Sequence, residues 1–144
     1  MGKEWISLKE TGQLYVEEVL AAFDTPTLFV CTDSSDKRYL CLNIGENDDK
    51  YVIAKTNAKY LLNMLRNKYT MESVFRNSID GKIVLAEYDY DGETIVSESK
   101  TAQDVGADLL SKKGEYFELS NDSIIGYIKR LDENVTQNCL QIIP

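Results

Sequence analysis

The stretch Leu28–Leu42, L-F-V-C-T-D-S-S-D-K-R-Y-L-C-L, decides the fold of this 144-residue chain. Its two strand-like runs, Leu28–Thr32 and Arg38–Leu42, flank the turn-forming residues Asp33–Asp36, which is the pattern of a β-hairpin. Both runs are almost continuously apolar, as in strands that are buried on both sides. We therefore expect a sheet whose centre is covered on both faces.

Further strands are predicted beside this hairpin. The run Leu14–Phe23 fits either a helix or a strand by its periodicity, and we favour a strand that ends at the turn Asp24–Pro26. The run Tyr51–Ala54 predicts another antiparallel strand.

A second hairpin is predicted further along the chain. The runs Lys82–Tyr90 and Thr94–Ser99 flank Asp91-Gly92, a dipeptide that favours a two-residue type I′ turn. Tyr116–Leu119 predicts one more strand, whereas residues 101–113 fit a weak helix or an irregular segment.

Helical spacing replaces strand spacing after Asn57, which is a good N-cap. The apolar residues that follow it recur at helical intervals: Ala58, Leu61, Leu62 and Leu65. Thr70 predicts the cap of a second short helix, whose apolar side is Met71, Val74 and Phe75. Ser123 precedes a third amphipathic pattern, made of Ile124, Ile125, Ile128 and Leu131. The tail Val135–Ile143 is expected to be extended.

Together these elements predict a single α+β domain that spans residues 1–144. We expect a mainly antiparallel meander sheet of about five to seven strands, because strands follow one another without a regular βαβ alternation. A helical pair is inserted midway, and a further helix lies near the C-terminus. No apolar run is long enough for a membrane-spanning helix or a signal-peptide core, so we expect a cytoplasmic protein.

The three cysteines, Cys31, Cys41 and Cys139, each sit in an apolar stretch. In the predicted hairpin Cys31 and Cys41 are diagonal neighbours, with Cβ atoms about 7 Å apart, so a disulfide is disfavoured. We expect three buried, reduced thiols, in agreement with a cytoplasmic location.

The composition argues against several classes of function. The chain has no histidine, which removes the commonest general base and every histidine metal ligand. Its net charge of -8 disfavours direct binding to nucleic acid. Residues 55–79 are an exception, because five bases stand there against Glu72 alone: Lys55, Lys59, Arg66, Lys68 and Arg76. No glycine-rich phosphate-binding motif occurs, and we expect no cofactor.

Acidic residues cluster in the segment Asp89–Thr94, D-Y-D-G-E-T. Calcium loops of the EF-hand type use such residues, but the third acid is missing here and Gly92 falls two positions early. We therefore expect a turn and no metal site. On a strand, Glu87 and Asp89 would share one face, whereas Glu17 and Glu18 would point to opposite faces. No pair of acids is singled out as catalytic.

Tyrosines accompany these acids, and tyrosine favours interfaces because it offers a large contact area with a polar tip. The predicted partner-binding residues are Glu87, Tyr88, Asp89, Tyr90, Asp91, Glu93 and Glu98.

Three parts of the chain carry a resemblance to a known family: F-D-T-P-T-L-F-V-C with R-Y-L-C-L, L-L-N-M-L-R leading into T-M-E-S-V-F, and L-L-S-K-K-G-E-Y-F-E-L. They resemble small α+β domains encoded by bacteria and their phages, and the similarity spans positions 14–119. That family has no assigned activity. The resemblance implies the α+β fold and a prokaryotic or phage setting, and it implies no site residues.

Three functions stay open at this point. The favoured one is a non-catalytic protein-binding module, an inhibitor or regulator of a nucleic-acid-handling or defence protein, since an acidic face attracts a partner with a basic surface. The second is a site for an anionic small molecule or nucleotide between the sheet and the midway helices, where the five bases of residues 55–79 would bind it. The third is a metal-dependent enzyme that uses Asp89, Asp91 and Glu93. Neither nucleic acid nor a membrane is expected as a direct partner.

Overall fold

A computed structural model describes residues 3–23, 25–45, 49–89, 92–104 and 122–142. Within these ranges the chain forms a seven-stranded antiparallel sheet whose strand order follows the sequence. The strands are β1 (Lys3–Leu8), β2 (Gly12–Phe23), β3 (Thr25–Thr32), β4 (Arg38–Asn43), β5 (Lys50–Thr56), β6 (Lys82–Tyr88) and β7 (Ile95–Thr101). The helices are α1 (Ala58–Leu65), α2 (Met71–Arg76) and α3 (Asp122–Ile142), and a short 3-10 helix covers Ala102–Asp104. The predicted α+β class and the antiparallel meander are confirmed.

The predicted Leu28–Leu42 hairpin is the pair β3–β4. Its register places Phe29 opposite Cys41 and Tyr39 opposite Cys31, so the two cysteines are diagonal neighbours, as predicted. Both thiols are free and buried. Burial raises the pKa of the Cys41 thiol well above its ordinary value, which keeps it protonated and unreactive. The side chain of Cys139 lies outside the described residues.

One face of the sheet is covered by the helices, and we call the packing there the helix-side core. Every second residue of the central strands contributes to it, together with the apolar sides of the three helices. Its largest fully buried side chains are Leu40, Leu61, Met64, Leu65, Phe75, Ile83, Tyr127 and Leu131. The predicted apolar sides of α1 and α2 are buried here, as expected.

The other face is covered because the sheet curls over it, and we call this packing the inner core. Trp5 on β1 contacts Phe29 on β3 and Tyr51 on β5, with ring centroids 4.8 and 4.9 Å apart. A flat sheet would hold β1 and β5 about 19 Å apart, at about 4.8 Å per strand. Ser97 on β7 also donates a hydrogen bond to the Glu10 carboxylate beside β1, at 2.7 Å. The two ends of the sheet therefore approach each other.

The helix starts follow the predicted caps. The Asn57 side chain accepts a hydrogen bond from the Tyr60 amide at 2.8 Å, and the Thr70 hydroxyl accepts one from the Ser73 amide at 3.1 Å. However, α1 contacts α3 more extensively than it contacts α2. The principal helical neighbour of α1 thus comes from the C-terminal part of the chain.

Several predictions differ from the structure. The tail Val135–Ile143 is predicted to be extended, but α3 continues to Ile142, and Val135 packs against the helix-side core. The strand β1 is not among the predicted strands. In the β6–β7 hairpin the Gly92 amide donates to the Asp89 carbonyl at 2.9 Å, whereas the predicted turn at Asp91-Gly92 includes Asp91, which lies outside the described residues. The predicted strand Tyr116–Leu119 lies outside the described residues.

Replacement of Leu131 by alanine tests the packing of α3. Leu131 is 0% exposed within the helix-side core, so we expect Leu131→Ala to lower the free energy of unfolding by about 2–5 kcal/mol. The matched control is Ile125→Ala on the same helix, where the side chain is 57% exposed and the change should stay within about 0.5 kcal/mol. Urea unfolding followed by the fluorescence of Trp5 measures both. Equal effects of the two variants would contradict the packing of α3.

Candidate functional site

The β6–β7 hairpin carries most of the predicted partner-binding residues. Glu87 lies opposite Val96, and Leu85 lies opposite Glu98, so all four side chains occupy the helix-side face. On this face each acid stands opposite an apolar residue. The two acids are therefore diagonal neighbours of each other, and so are the two apolar residues. A groove of about 320 Å³ runs here, and Ile44 adds a further apolar side chain to its lining. We call this surface the hairpin groove.

Tyr88 does not share that surface with the acids. It points to the inner core, where its ring lies 6.5 Å from the ring of Tyr51, and burial raises the pKa of its hydroxyl. Asp89 and Glu93 are exposed. Two further members of the predicted set, Tyr90 and Asp91, lie outside the described residues. Of the predicted residues, the hairpin groove thus brings together Glu87 and Glu98.

Lysines stand next to both acids of the hairpin groove. Lys50 lies 3.7 Å from Glu87, and Lys100 lies 3.6 Å from Glu98. All four side chains are about half exposed, so these ion pairs contribute little to stability and can exchange for a partner's charges.

The five bases predicted to bind an anion have separate roles. Arg66 pairs with Asp132 of α3 at 3.5 Å. Arg76 pairs with Glu72 at 2.9 Å and donates to the carbonyls of the short 3-10 helix. Lys59 and Lys68 are exposed on the surface. Lys55, in contrast, lines a cavity.

That cavity lies where the middle of β2 and the ends of β3, β4 and β5 meet the start of α1 and the middle of α3, and we call it the polar cavity. Its volume is about 600 Å³. It is lined by Glu17, Thr32, Ser35, Asp36, Lys37, Arg38, Lys55, Thr56, Asn57, Ala58, Ile79 and Asn134. Hydroxyl, amide and charged groups make up most of this lining.

Glu17 at the edge of the polar cavity joins the sheet to α3. Its carboxylate accepts hydrogen bonds from Arg38 Nε at 3.0 Å and from the Tyr127 hydroxyl at 2.6 Å. Tyr127 is 1% exposed, and burial together with the negative charge of Glu17 raises the pKa of its hydroxyl far above the ordinary value. The hydroxyl therefore stays protonated and continues to donate to Glu17.

A β-bulge explains why this contact forms. The pairing of β2 with β3 shifts between Val16 and Glu18, so Glu17 is the extra residue. Glu18 binds Arg130 of α3 at 3.3 Å, so Glu17 and Glu18 both contact α3. The prediction that they point to opposite faces is wrong, because a bulge interrupts the strict alternation of side chains.

The loop between β3 and β4 forms one wall of the polar cavity and is organised by Asp33. The Asp33 carboxylate accepts hydrogen bonds from the amides of Ser35 and Lys37, at 2.9 and 3.0 Å, and from the Tyr39 hydroxyl at 3.0 Å. Burial alone would raise the pKa of Asp33, but these bonds and the charge of Lys55 outweigh it and lower the pKa. The loop is thus held in one conformation.

Comparisons with protein-family models, with curated proteins and with solved structures find no match to this chain. Within the described ranges, no group of three or more cysteine or acidic side chains is placed to hold a metal ion. The hypothesis of a metal site at Asp89, Asp91 and Glu93 stays a prediction, because Asp91 is not described. No helix in the described part of the chain combines the length and the apolar character needed to cross a membrane.

Removal of the Tyr127 hydroxyl tests its bond to Glu17. We expect Tyr127→Phe to lower the free energy of unfolding at neutral pH by about 1.5–3 kcal/mol, because a hydrogen bond to a charged group is lost. The control is Tyr60→Phe on α1, whose ring contacts Tyr69 and whose change should stay within about 0.5 kcal/mol. Chemical denaturation at neutral pH measures both variants, and an unchanged stability of Tyr127→Phe would contradict the contact.

The same variant should also change how stability depends on pH. Because the pKa of Tyr127 is raised on folding, the unfolded chain loses this proton first as pH rises above about 10, and the folded state loses stability. Without the hydroxyl, the decline above about pH 10 should be shallower by up to about 1.4 kcal/mol per pH unit. Denaturation of wild type and Tyr127→Phe at several alkaline pH values measures this difference. Parallel curves would show that the pKa is not raised.

Proposed function

We propose that this protein is a non-catalytic protein-binding module that acts in the cytoplasm of a bacterium or a phage-infected cell. Its partner is a nucleic-acid-handling or defence protein with a basic surface, which it inhibits or regulates. The observation that carries this proposal is the hairpin groove, where exposed apolar and acidic side chains alternate on one face of β6 and β7.

The apolar part of the hairpin groove supports a protein partner. Val96 is 61% exposed, although it lies opposite Glu87 in a paired strand. Leu85 and Ile44 are only partly buried beside it. Contiguous apolar side chains on a surface mark places where another protein removes them from water.

The charge of the hairpin supports a basic partner. Residues 82–101 carry five acids against two lysines, a net charge of -3. Such a surface speeds the encounter with a positively charged protein and repels the phosphate backbone of nucleic acid. The partner surface that fits is therefore apolar at its centre and basic at its edges, as in proteins that bind nucleic acid.

Site-specific photo-crosslinking in cells of the source organism tests the proposal. A photoreactive amino acid is placed at Val96 in the hairpin groove, and a control variant carries it at Ile125, which is 57% exposed on α3. We expect one discrete adduct of constant mass from Val96 and none from Ile125. An identical pattern from both positions, or no adduct from Val96, would contradict the proposal.

A charge reversal separates specific docking from random contact. With the photoreactive group at Val96, the double change Glu87→Lys and Glu98→Lys should reduce the yield of the adduct at least about tenfold, since two attractive contacts become repulsive. Reversal of Glu133, an exposed acid on α3, serves as the control and should leave the yield unchanged. An adduct that survives the reversal at the groove would show that the acids do not select the partner.

A further inference from the structure

We propose that the polar cavity binds a small anionic ligand through an oxyanion group, either a phosphate or a carboxylate. This inference does not rest on the proposed protein partner, because the cavity and the hairpin groove have no lining residue in common. Four features of the cavity point to an anion: an unpartnered hydroxyl, a helix start, a local excess of positive charge and a preorganised wall.

The unpartnered hydroxyl belongs to Thr56, at the end of β5. Thr56 is 3% exposed, and its Oγ1 atom has no hydrogen-bond partner among the described residues. Thr56 lies opposite Arg38, which in turn lies opposite Thr32, so the three side chains share the face that lines the cavity. Buried hydroxyls in native proteins nearly always have a partner, and a bound oxyanion would supply one.

The start of α1 faces the same space. Asn57 caps the helix through Tyr60, which leaves the amides of Ala58 and Lys59 without an acceptor inside the helix. Both Asn57 and Ala58 line the cavity. Backbone amides at a helix start, with the positive end of the helix dipole, favour a negatively charged group.

The charges around the polar cavity also favour an anion. Three bases line it, Lys37, Arg38 and Lys55, against the two acids Glu17 and Asp36. This is a net charge of +1 in a chain whose total is -8. The charge of Glu17 is already compensated by Arg38 and by the hydroxyl of Tyr127, and two of the five N–H donors of Arg38 are used by Glu17.

The wall and the size of the cavity fit a small polar molecule. The β3–β4 loop is held by the Asp33 carboxylate, so Ser35 and Lys37 do not have to be ordered when a ligand binds. The volume of about 600 Å³ lies within the common range for ligand sites. No aromatic side chain occurs among the described residues that line it. A ligand with hydroxyl groups therefore fits this lining better than a ligand with a base that must stack on an aromatic ring.

Titration with simple anions tests the proposal. The full-length, isotope-labelled protein is titrated with inorganic phosphate, pyrophosphate or citrate, while sodium chloride keeps the ionic strength constant, and amide NMR signals are followed. We expect saturable shifts at Thr56–Lys59 and at Ser35–Arg38. A response to phosphates alone assigns a phosphate ligand, and a response to citrate alone assigns a carboxylate. No saturable shift with any of the three, or shifts confined to other residues, overturns the proposal.

A matched variant at Thr56 ties the affinity to a named group. Thr56→Val keeps the shape of the side chain and removes an unpartnered hydroxyl, so the protein without ligand should melt at the same temperature or higher. Its affinity for the anion that binds wild type should fall by about tenfold or more, because a hydrogen bond to a charged group is lost. Equal affinity of Thr56→Val and wild type overturns the proposal.

The lysines supply a charge control. Lys55 and Lys59 carry the same charge near the start of α1, but only Lys55 lines the polar cavity. We expect Lys55→Gln to weaken anion binding by about threefold or more, and Lys59→Gln to change it by less than about twofold. Equal losses in both variants would show a general effect of protein charge and would overturn the assigned site.

Discussion

The burial of both faces of the central hairpin is the constraint on which the rest of this structure depends. Strands β3 to β5 place apolar side chains alternately on the two faces, and nearly all of them are buried. The helices cover one face. The other face is covered by the curl of the sheet, which brings Trp5 of β1 onto Phe29 and Tyr51. Neither covering extends over the whole sheet. The hairpin groove lies on β6 and β7, and the polar cavity lies at the strand ends beside α1.

The position of α3 shapes the polar cavity. Glu17 binds Arg38 of the same sheet and Tyr127 of α3, so one carboxylate fixes the helix over the bulge of β2 and the start of β4. Asn134, further along α3, then lines the cavity together with Thr56 and the start of α1. The hairpin groove lies toward β7, where Val96 and Glu98 are open to solvent. The molecule therefore has two chemically different surfaces, one apolar and acidic, the other polar and locally basic.

Local patterns in the sequence predict the fold well, but they do not predict contacts between residues that are distant along the chain. The arms of the Leu28–Leu42 hairpin and the cap at Asn57 are set by neighbouring residues. The length of α3 could have been found, because Val135 continues the helical spacing of Leu131, but the apolar residues after it suggested a strand. No local signal marks the bulge at Glu17 or its contact with Tyr127, which lies 110 residues away. For the same reason the sequence does not predict Thr56 and Arg38 as site residues, since they become neighbours only through the pairing of β4 with β5.

A designed thiol cross-link between positions 10 and 97 measures the curl of the sheet most directly. Their side chains meet at 2.7 Å, although a flat sheet would separate β2 from β7 by about 24 Å. The double variant Glu10→Cys and Ser97→Cys should form an intramolecular cross-link with a short bifunctional thiol reagent that can span two side chains, as read by peptide mass mapping. The control Glu10→Cys and Glu98→Cys should not, because the adjacent residue Glu98 faces the other side of the sheet. A missing Glu10–Ser97 link, or equal linking in both variants, would contradict a curled sheet that is buried on both faces.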